Sequence, residues 1–129
     1  MIYELSQRFH FDAAHTLHRD IEVEGSRRIH GHTYTAEIAV TGVPDNSGML
    51  IDLGILREAV AQVRGQLDHH FLDEVPGLGP ATLENLCAFI ARRFSSTVVN
   101  LSRVTVERQS SGDRCVLYCQ RAQETTRAS

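Results

Sequence analysis

The chain has no long apolar run, no large excess of charge of either sign and few cysteines. None of its 129 residues belongs to a segment approaching the about 18 apolar residues of a membrane-spanning helix, so we expect no membrane contact. The net charge of −3 provides no positive field that would recruit nucleic acid. The N-terminus lacks the basic stretch and apolar core of a signal peptide. The three cysteines lack zinc-finger spacing, which favours reduced thiols in a cytoplasmic protein.

Histidine, by contrast, is plentiful: the chain has seven, and two of them form the sequence His30-Gly31-His32. Side chains at positions i and i+2 point to the same side only in an extended backbone. The residues that follow alternate as in a strand, with Tyr34 and further apolar residues on the parity of the two histidines. Two neighbouring imidazoles with no obvious carboxylate partner predict a metal site, and Zn²⁺ takes histidine nitrogens in a tetrahedral array.

A third ligand is expected from the first strand of the chain. Alternation begins at Tyr3 and places Phe9, Phe11 and His15 on one face of a half-buried strand. His15 comes at the end of that strand. If the strand pairs with the one beginning near His30, the three histidines lie together and leave a fourth zinc position open, as in catalytic sites.

Two helices are predicted in the middle of the chain. Asp52 is a good N-cap, and apolar residues recur after it at helical spacing until about Gly65 or Leu67. Thr82 can cap a second helix, whose apolar stripe extends to Phe94. Each helix therefore has one face to bury.

The last third of the chain alternates again, over Leu101 to Arg108 and then over Cys115 to Cys119. The order strand, strand, helix, helix, strand, strand predicts an α+β fold, with an antiparallel sheet and two helices on one face. We expect one domain over residues 1–119. Residues 120–129 have almost nothing to bury, so we expect a disordered tail there.

Six short motifs, in this order and at this spacing, resemble a known protein family. They are Phe11-Asp12-Ala13-Ala14-His15, His30-Gly31-His32-Thr33-Tyr34, Gly48-Met49-Leu50-Ile51-Asp52, Leu67-Asp68-His69-His70, Ala81-Thr82-Leu83-Glu84-Asn85-Leu86 and Val104-Thr105-Val106-Glu107. Together they cover nearly the whole chain, and they resemble the 6-pyruvoyl-tetrahydropterin synthase and 6-carboxy-tetrahydropterin synthase family.

The resemblance implies a role for each position that matches a functional residue of the family. The zinc ligands of the family match His15, His30 and His32, and its catalytic pair matches Asp68 and His69. The glutamate that anchors the pterin ring matches Glu107. Two residues that line the pocket match Thr82 and Glu84. The implied zinc ligands are the same three histidines that strand parity selects.

The implied activity is that of a zinc-dependent lyase, which acts on 7,8-dihydroneopterin triphosphate and gives a 6-carboxy- or 6-pyruvoyl-tetrahydropterin. The implied assembly is a tunnelling fold, in which trimers close their sheets into a barrel and two trimers stack into a homo-hexamer with sites between subunits. Queuosine, tetrahydrobiopterin and folate pathways all remain open for such a product.

One position departs from the family pattern. The family usually has a catalytic cysteine four residues before the first histidine of His-Gly-His, and here that position is Ser26. A serine hydroxyl is a far weaker acid than a thiol, so it cannot serve as a thiolate base. Activation of Ser26 by His69, and a carboxylate base at Glu22 or Glu24, are both open.

Two other functions also remain open: a variant enzyme giving 6-hydroxymethyl-dihydropterin, and a non-catalytic pterin-binding protein. No role is assigned to Arg27, Arg28, His10, His18 or His70.

Overall fold

The computed structural model describes residues 1–16 and 28–119, and within them it forms one four-stranded sheet. The elements in chain order are β1 (Tyr3–His15), β2 (His30–Gly42), α1 (Leu53–Leu67), a single 3-10 turn (Leu72–Glu74), α2 (Leu83–Ser95), β3 (Leu101–Arg108) and β4 (Asp113–Tyr118). The strands follow one another in the sheet as β1-β2-β3-β4, and every neighbouring pair is antiparallel. The predicted α+β order is therefore confirmed.

The two longest strands, β1 and β2, pair without interruption along their whole length, from Tyr3 opposite Gly42 to His15 opposite His30. Their alternating apolar residues face the helices and form the core. In that layer the ring of Phe11 stacks on the ring of Tyr34, with the two centroids 4.9 Å apart. Aromatic pairs at this spacing add to the stabilisation that comes from burying their area.

Both helices begin where their capping residues predict. The side chain of Asp52 accepts a hydrogen bond from the backbone N–H of Gly54 at 2.7 Å, and that of Thr82 accepts one from Asn85 at 3.0 Å. Such caps satisfy backbone donors that the first turn of a helix leaves free. Helix α1 ends at Leu67, as predicted, and packs on β1, whereas α2 packs on β3 and β4.

The structure differs from the sequence expectations in two local places. The last strand covers Asp113–Tyr118 rather than Cys115 to Cys119, because it pairs with β3 from the turn onward, beginning with Asp113 opposite Arg108. A 3-10 turn at Leu72–Glu74 has no counterpart in the predicted elements, since three residues are too few for a periodic signal.

Some expectations lie outside the described residues. They concern the tail over 120–129 and the positions Ser26, Glu22, Glu24, Arg27 and His18. In the described part of the chain, no helix combines the length and the apolar character required to cross a membrane.

The sheet face turned away from the helices carries a charged network. Arg103 donates to Glu4 through two nitrogens at 3.1 Å, and to Glu37 at 2.8 Å. Arg8 donates to the second oxygen of Glu37 at 3.3 Å. These residues lie on β1, β2 and β3, so the network joins three strands across the open face of the sheet.

Candidate functional site

Three histidines form a cluster at the end of β1 and the beginning of β2. His15 lies directly opposite His30 in the ladder, and His32 follows two residues along the same face. The centroid of the His15 ring lies 4.4 Å from that of His30 and 5.0 Å from that of His32, while the His30 and His32 centroids are 4.9 Å apart. One nitrogen from each ring lies within 4.8 Å of the others. The pairing that parity predicted thus brings the three side chains together.

His15 and His32 have the properties of neutral nitrogen ligands. His15 is only 1 % exposed, and within the described part of the chain neither of its ring nitrogens has a hydrogen-bond partner. Burial, followed by the charges of His30, His32 and Arg108, lowers the pKa of His15 to about 4. Burial also lowers the pKa of His32, whose Nε2 is buried and unpartnered. At neutral pH both rings therefore keep a free lone pair.

His30 has its orientation fixed by the backbone before it. Its Nδ1 lies 2.7 Å from the carbonyl oxygen of Arg28, so Nδ1 carries the proton and donates it. Nε2 is left as the free acceptor, which is the tautomer that a metal ligand needs. Three clustered imidazoles, two of them with buried nitrogens that lack partners among the described residues, fit a Zn²⁺ ion with one open position.

A carboxylate fixes the chain just after His15. Asp73, in the 3-10 turn, accepts a hydrogen bond from the backbone N–H of Thr16 at 2.9 Å and another from the Thr16 hydroxyl. These bonds hold the end of β1 where His15 meets the cluster. Sequence reasoning missed Asp73 because no local pattern links it to a strand far away in the chain.

The predicted catalytic pair, Asp68 and His69, lies at the outer edge of β1. Nδ1 of His69 is 2.9 Å from Oδ2 of Asp68, and Arg64 contacts the same oxygen at 3.1 Å. The backbone N–H of His69 donates to the carbonyl of Asp12 at 2.6 Å. The φ of His69 is 58°, a left-handed conformation that histidine adopts more readily than most residues. This backbone bond to β1 fixes the position of the imidazole at the edge.

His69 of this pair lines a cleft of about 500 Å³, together with residues of β1 and β2. The cleft is lined by Asp12, Ala13, Ala14, Gly31, His32, Thr33, His69, His70 and Phe71. Within it, the hydroxyl of Thr33 donates to Asp12 at 2.6 Å. The absence of a side chain at exposed Gly31 leaves the backbone accessible here.

Glu107 lies on the opposite side of the sheet from the histidine cluster. It pairs with Thr35, which alternates with the helix-facing residues His32 and Tyr34, so its side chain leaves the sheet on the open face. Thr82 and Glu84 stand at the start of α2, where Thr82 serves as the cap and Glu84 is exposed. The chain therefore brings the three histidines together, but it places Glu107 on the other face.

Arg108 is a further residue of the histidine face that sequence reasoning missed. It continues the parity of Val104 and Val106 on β3, and this placement of a charge on an apolar parity is the signal that could have found it. Its charge contributes to lowering the pKa of both His15 and His32.

A four-stranded antiparallel sheet with two helices and a three-histidine cluster defines a candidate metal-binding α+β protein. The family model described as 6-pyruvoyl tetrahydropterin synthase matches residues 4–119. The chain belongs to this family, as the six motifs indicated.

Two curated relatives illustrate the range of names within the matches. The 6-carboxy-5,6,7,8-tetrahydropterin synthase of Bacillus subtilis is 37 % identical over 73 residues, which is 56 % of this chain and 47 % of the Bacillus protein. The dihydroneopterin monophosphate aldolase of Pyrococcus furiosus is 30 % identical over 102 residues, covering 77 % of this chain and 83 % of that protein. The first match thus spans less than half of its relative.

Solved structures share the fold at lower identity. The 6-pyruvoyl tetrahydropterin synthase of Caenorhabditis elegans superposes with a TM-score of 0.81 at 23 % identity, over 93 % of this chain and 97 % of that one. A Plasmodium vivax 6-pyruvoyltetrahydropterin synthase, in which a glutamate described as a catalytic residue is replaced by cysteine, gives a TM-score of 0.74 at 20 % identity, over 93 % and 99 % of the two chains. The fold of this chain is therefore that of the family.

Proposed function

We propose that this protein is a zinc-dependent lyase that acts on 7,8-dihydroneopterin triphosphate and gives a 6-carboxy- or 6-pyruvoyl-tetrahydropterin. The observation that carries the proposal is the cluster of His15, His30 and His32, whose free nitrogens suit a three-ligand metal site, in a chain of the tetrahydropterin synthase family. The names of the relatives agree with an enzyme of this type.

In the proposed chemistry, a zinc ion and the carboxylate of Glu107 contact different parts of the pterin ligand. A zinc ion held by the three histidines would act as a Lewis acid toward oxygens of the side chain. The carboxylate of Glu107 offers two acceptor oxygens for the N–H groups of an aminopyrimidinone edge. Among the described residues, no hydrogen bond or ion pair engages this carboxylate, so it is available to a ligand.

Proton transfer is assigned to the pair at the edge of β1. Because Oδ2 of Asp68 accepts from Nδ1 of His69, the other nitrogen, Nε2, can take or deliver a proton. The pKa of Asp68 is lowered, first by the backbone N–H of Asp12 and further by His69 and Arg64, so the carboxylate stays ionised. The ionised carboxylate of Asp68 therefore selects the tautomer of His69 that carries its proton on Nδ1.

The remaining base is proposed to come from the segment before His30. Ser26 activated by His69 is one candidate, and Glu22 or Glu24 is the other. The Plasmodium protein, in which a glutamate is described as a catalytic residue, supports a carboxylate base. A carboxylate is also ionised at neutral pH, whereas a serine hydroxyl is not.

Assembly of several chains is part of the proposal. Glu107 and the histidines leave the sheet on opposite faces, so one small ligand reaches both only if two chains contribute. Within the described residues, β4 and the first part of β1 have no strand on their outer edges. Edges of this kind favour pairing with another chain, which suits trimers closed into a barrel and stacked as a homo-hexamer.

A second candidate function rests on the Pyrococcus relative. That protein is named an aldolase for dihydroneopterin monophosphate, and it matches more of this chain than the Bacillus protein does. The second candidate is thus a variant enzyme that cleaves the side chain to give 6-hydroxymethyl-dihydropterin. A non-catalytic pterin-binding protein is the third outcome that Ser26 leaves open.

One experiment separates these functions. The zinc-loaded protein is incubated with dihydroneopterin triphosphate and, separately, with the monophosphate, and the products are identified by mass spectrometry. A 6-carboxy- or 6-pyruvoyl-tetrahydropterin supports the lyase, and 6-hydroxymethyl-dihydropterin supports the aldolase. Binding of neopterin without turnover of either substrate would identify a non-catalytic protein.

A further inference from the structure

Two hydrogen-bond donors on the histidine face are buried and unmatched. They are the hydroxyl of Tyr34 and Nε of Arg108, and neither has a hydrogen-bond partner among residues 1–16 and 28–119. Tyr34 is fully buried. A buried donor that has lost water without gaining a partner costs free energy, so each of these groups calls for an explanation.

The sheet register places the two residues that carry these donors side by side on one face. Glu107 lies opposite Thr35, and the same antiparallel register, continued by one residue, sets Arg108 opposite Tyr34. Tyr34 is in turn two residues from His32 on the same face, and the two rings lie 5.7 Å apart between centroids. The donors therefore adjoin the histidine cluster.

Both groups can donate a hydrogen bond. The phenol of Tyr34 carries one O–H donor. A guanidinium is always charged and has no acceptor. The missing partner is therefore an acceptor.

The missing acceptor is also expected to be negatively charged. Among the described residues, one nitrogen of Arg108 has a carboxylate partner, Asp113, at 3.1 Å. The side chain of Asp113 is 53 % exposed, whereas that of Arg108 is 24 % exposed. Water screens an ion pair of this kind, so it compensates the guanidinium charge weakly. A divalent ion on the histidines would add positive charge to the same face.

We propose that Arg108 and Tyr34 form an oxyanion-binding subsite beside the histidine cluster, which recognises a phosphate ester or a carboxylate on the side chain of the pterin ligand. The planar donors of a guanidinium suit either group. This inference rests on the proposed function for the identity of the ligand. It makes Arg108 a determinant of specificity, which distinguishes ligands with a charged side chain from the uncharged polyol.

The test compares three pterins, whose substituent on the ring is an uncharged polyol, a polyol phosphate ester or a carboxylate. Binding of neopterin, neopterin monophosphate and 6-carboxypterin to the zinc-loaded protein is measured by calorimetry, for wild type, Arg108→Gln and Tyr34→Phe. Arg57→Gln, which removes an exposed charge on α1, is the matched control. Zinc content is measured for every variant.

Arg108→Gln is expected to weaken binding of one or both anionic ligands about 10- to 100-fold while leaving neopterin unchanged. The ligand that responds distinguishes the phosphate ester from the carboxylate. Tyr34→Phe keeps the ring that stacks on Phe11 and removes only an unpartnered hydroxyl. It should therefore retain the stability of wild type and weaken the same ligand several-fold, even if Arg108→Gln does not fold.

Two results would overturn the inference. In the first, both variants bind both anionic ligands with the affinity of wild type. In the second, the variants lose as much affinity for neopterin as for the anionic ligands.

A further measurement with inorganic pyrophosphate separates this inference from the proposed function. If wild type binds no pterin, the proposed function fails, while pyrophosphate binding that is lost in Arg108→Gln still supports the subsite. Pyrophosphate binding that is equal in the two proteins would contradict it.

Discussion

Asp68 connects the imidazole of His69 to the backbone of β1, because one carboxylate oxygen lies 2.9 Å from Nδ1 of His69 and the other accepts the N–H of Asp12 at 2.9 Å. Asp68→Asn replaces one acceptor oxygen by an amide donor, so the proton on Nδ1 loses its partner. We expect turnover to fall about 10²- to 10⁴-fold, the range for lost acid–base catalysis. Zinc content should not change. Steady-state kinetics beside Glu58→Gln, an exposed site on α1, measures the effect, and wild-type rates in Asp68→Asn would remove the pair from catalysis.

His30→Ala should abolish zinc binding. Removing one of three ligands leaves an incomplete set, whereas His10→Ala removes an exposed histidine that contacts Thr35 at 3.1 Å, away from the cluster. Metal analysis of proteins purified without chelator should give about one zinc per chain for wild type and His10→Ala, and almost none for His30→Ala. Equal, near-zero zinc in all three proteins would refute the site.

Glu107→Gln should weaken pterin binding. The substitution keeps the shape of the side chain but leaves one N–H of the ring without its acceptor, at a cost of about 1–3 kcal/mol. Fluorescence titration with neopterin measures the change, and Glu58→Gln again serves as the control. An unchanged affinity for neopterin would show that Glu107 does not contact the ring.

Ser26→Cys should raise lyase activity on dihydroneopterin triphosphate. The thiol ionises partly near neutral pH, which a serine hydroxyl does not, and general-base catalysis is typically worth about 10²- to 10⁴-fold. The rate should rise with pH as the thiol ionises. The opposite result, a wild type as fast as the cysteine variant and inactivated by Glu22→Gln or Glu24→Gln, would assign the base to a carboxylate.

Glu37 should make the stability of the protein depend on pH. Burial alone would raise the pKa of Glu37, but hydrogen bonds and charge from Arg103 and Arg8 outweigh it and hold the pKa below its ordinary value of 4.5. Because the folded pKa is the lower one, this stabilisation is present above pH 4.5 and is lost as the pH falls through the folded value. Urea unfolding should show Glu37→Gln less stable than wild type at pH 7. The difference should shrink toward pH 3, and a constant difference would contradict the assignment.

Much of the fold could be read from local patterns, for a physical reason. Period-two alternation over Tyr3–His15 and the caps at Asp52 and Thr82 are properties of neighbouring residues, so they report on strands and helices directly. The histidine cluster followed from the same parity, since it required only that β1 and β2 pair. That single pairing is enough to place His15 opposite His30.

The rest of the site depends on contacts that no local pattern encodes. The face on which Glu107 lies relative to the histidines depends on the register between β2 and β3, two strands separated by both helices. The bonds from Thr16 to Asp73 and from Asp12 to Asp68 likewise join distant segments through backbone groups, and backbone groups carry no residue signature. The family motifs imply a role for Glu107 as the anchor of the pterin ring, which stays a prediction, whereas its position needed the structure.

The opposite orientation of Glu107 and the histidine cluster has a genetic consequence. If each site takes its metal ligands from one chain and its ring anchor from another, a substitution in one chain also impairs a site that it shares with a neighbouring chain. Two impaired variants, His15→Ala and Glu107→Gln, would complement each other when their subunits are dissociated, mixed and reassembled, because some sites would receive both intact halves. A chain carrying both substitutions, mixed with wild type, would instead inactivate the sites that it shares with wild-type neighbours.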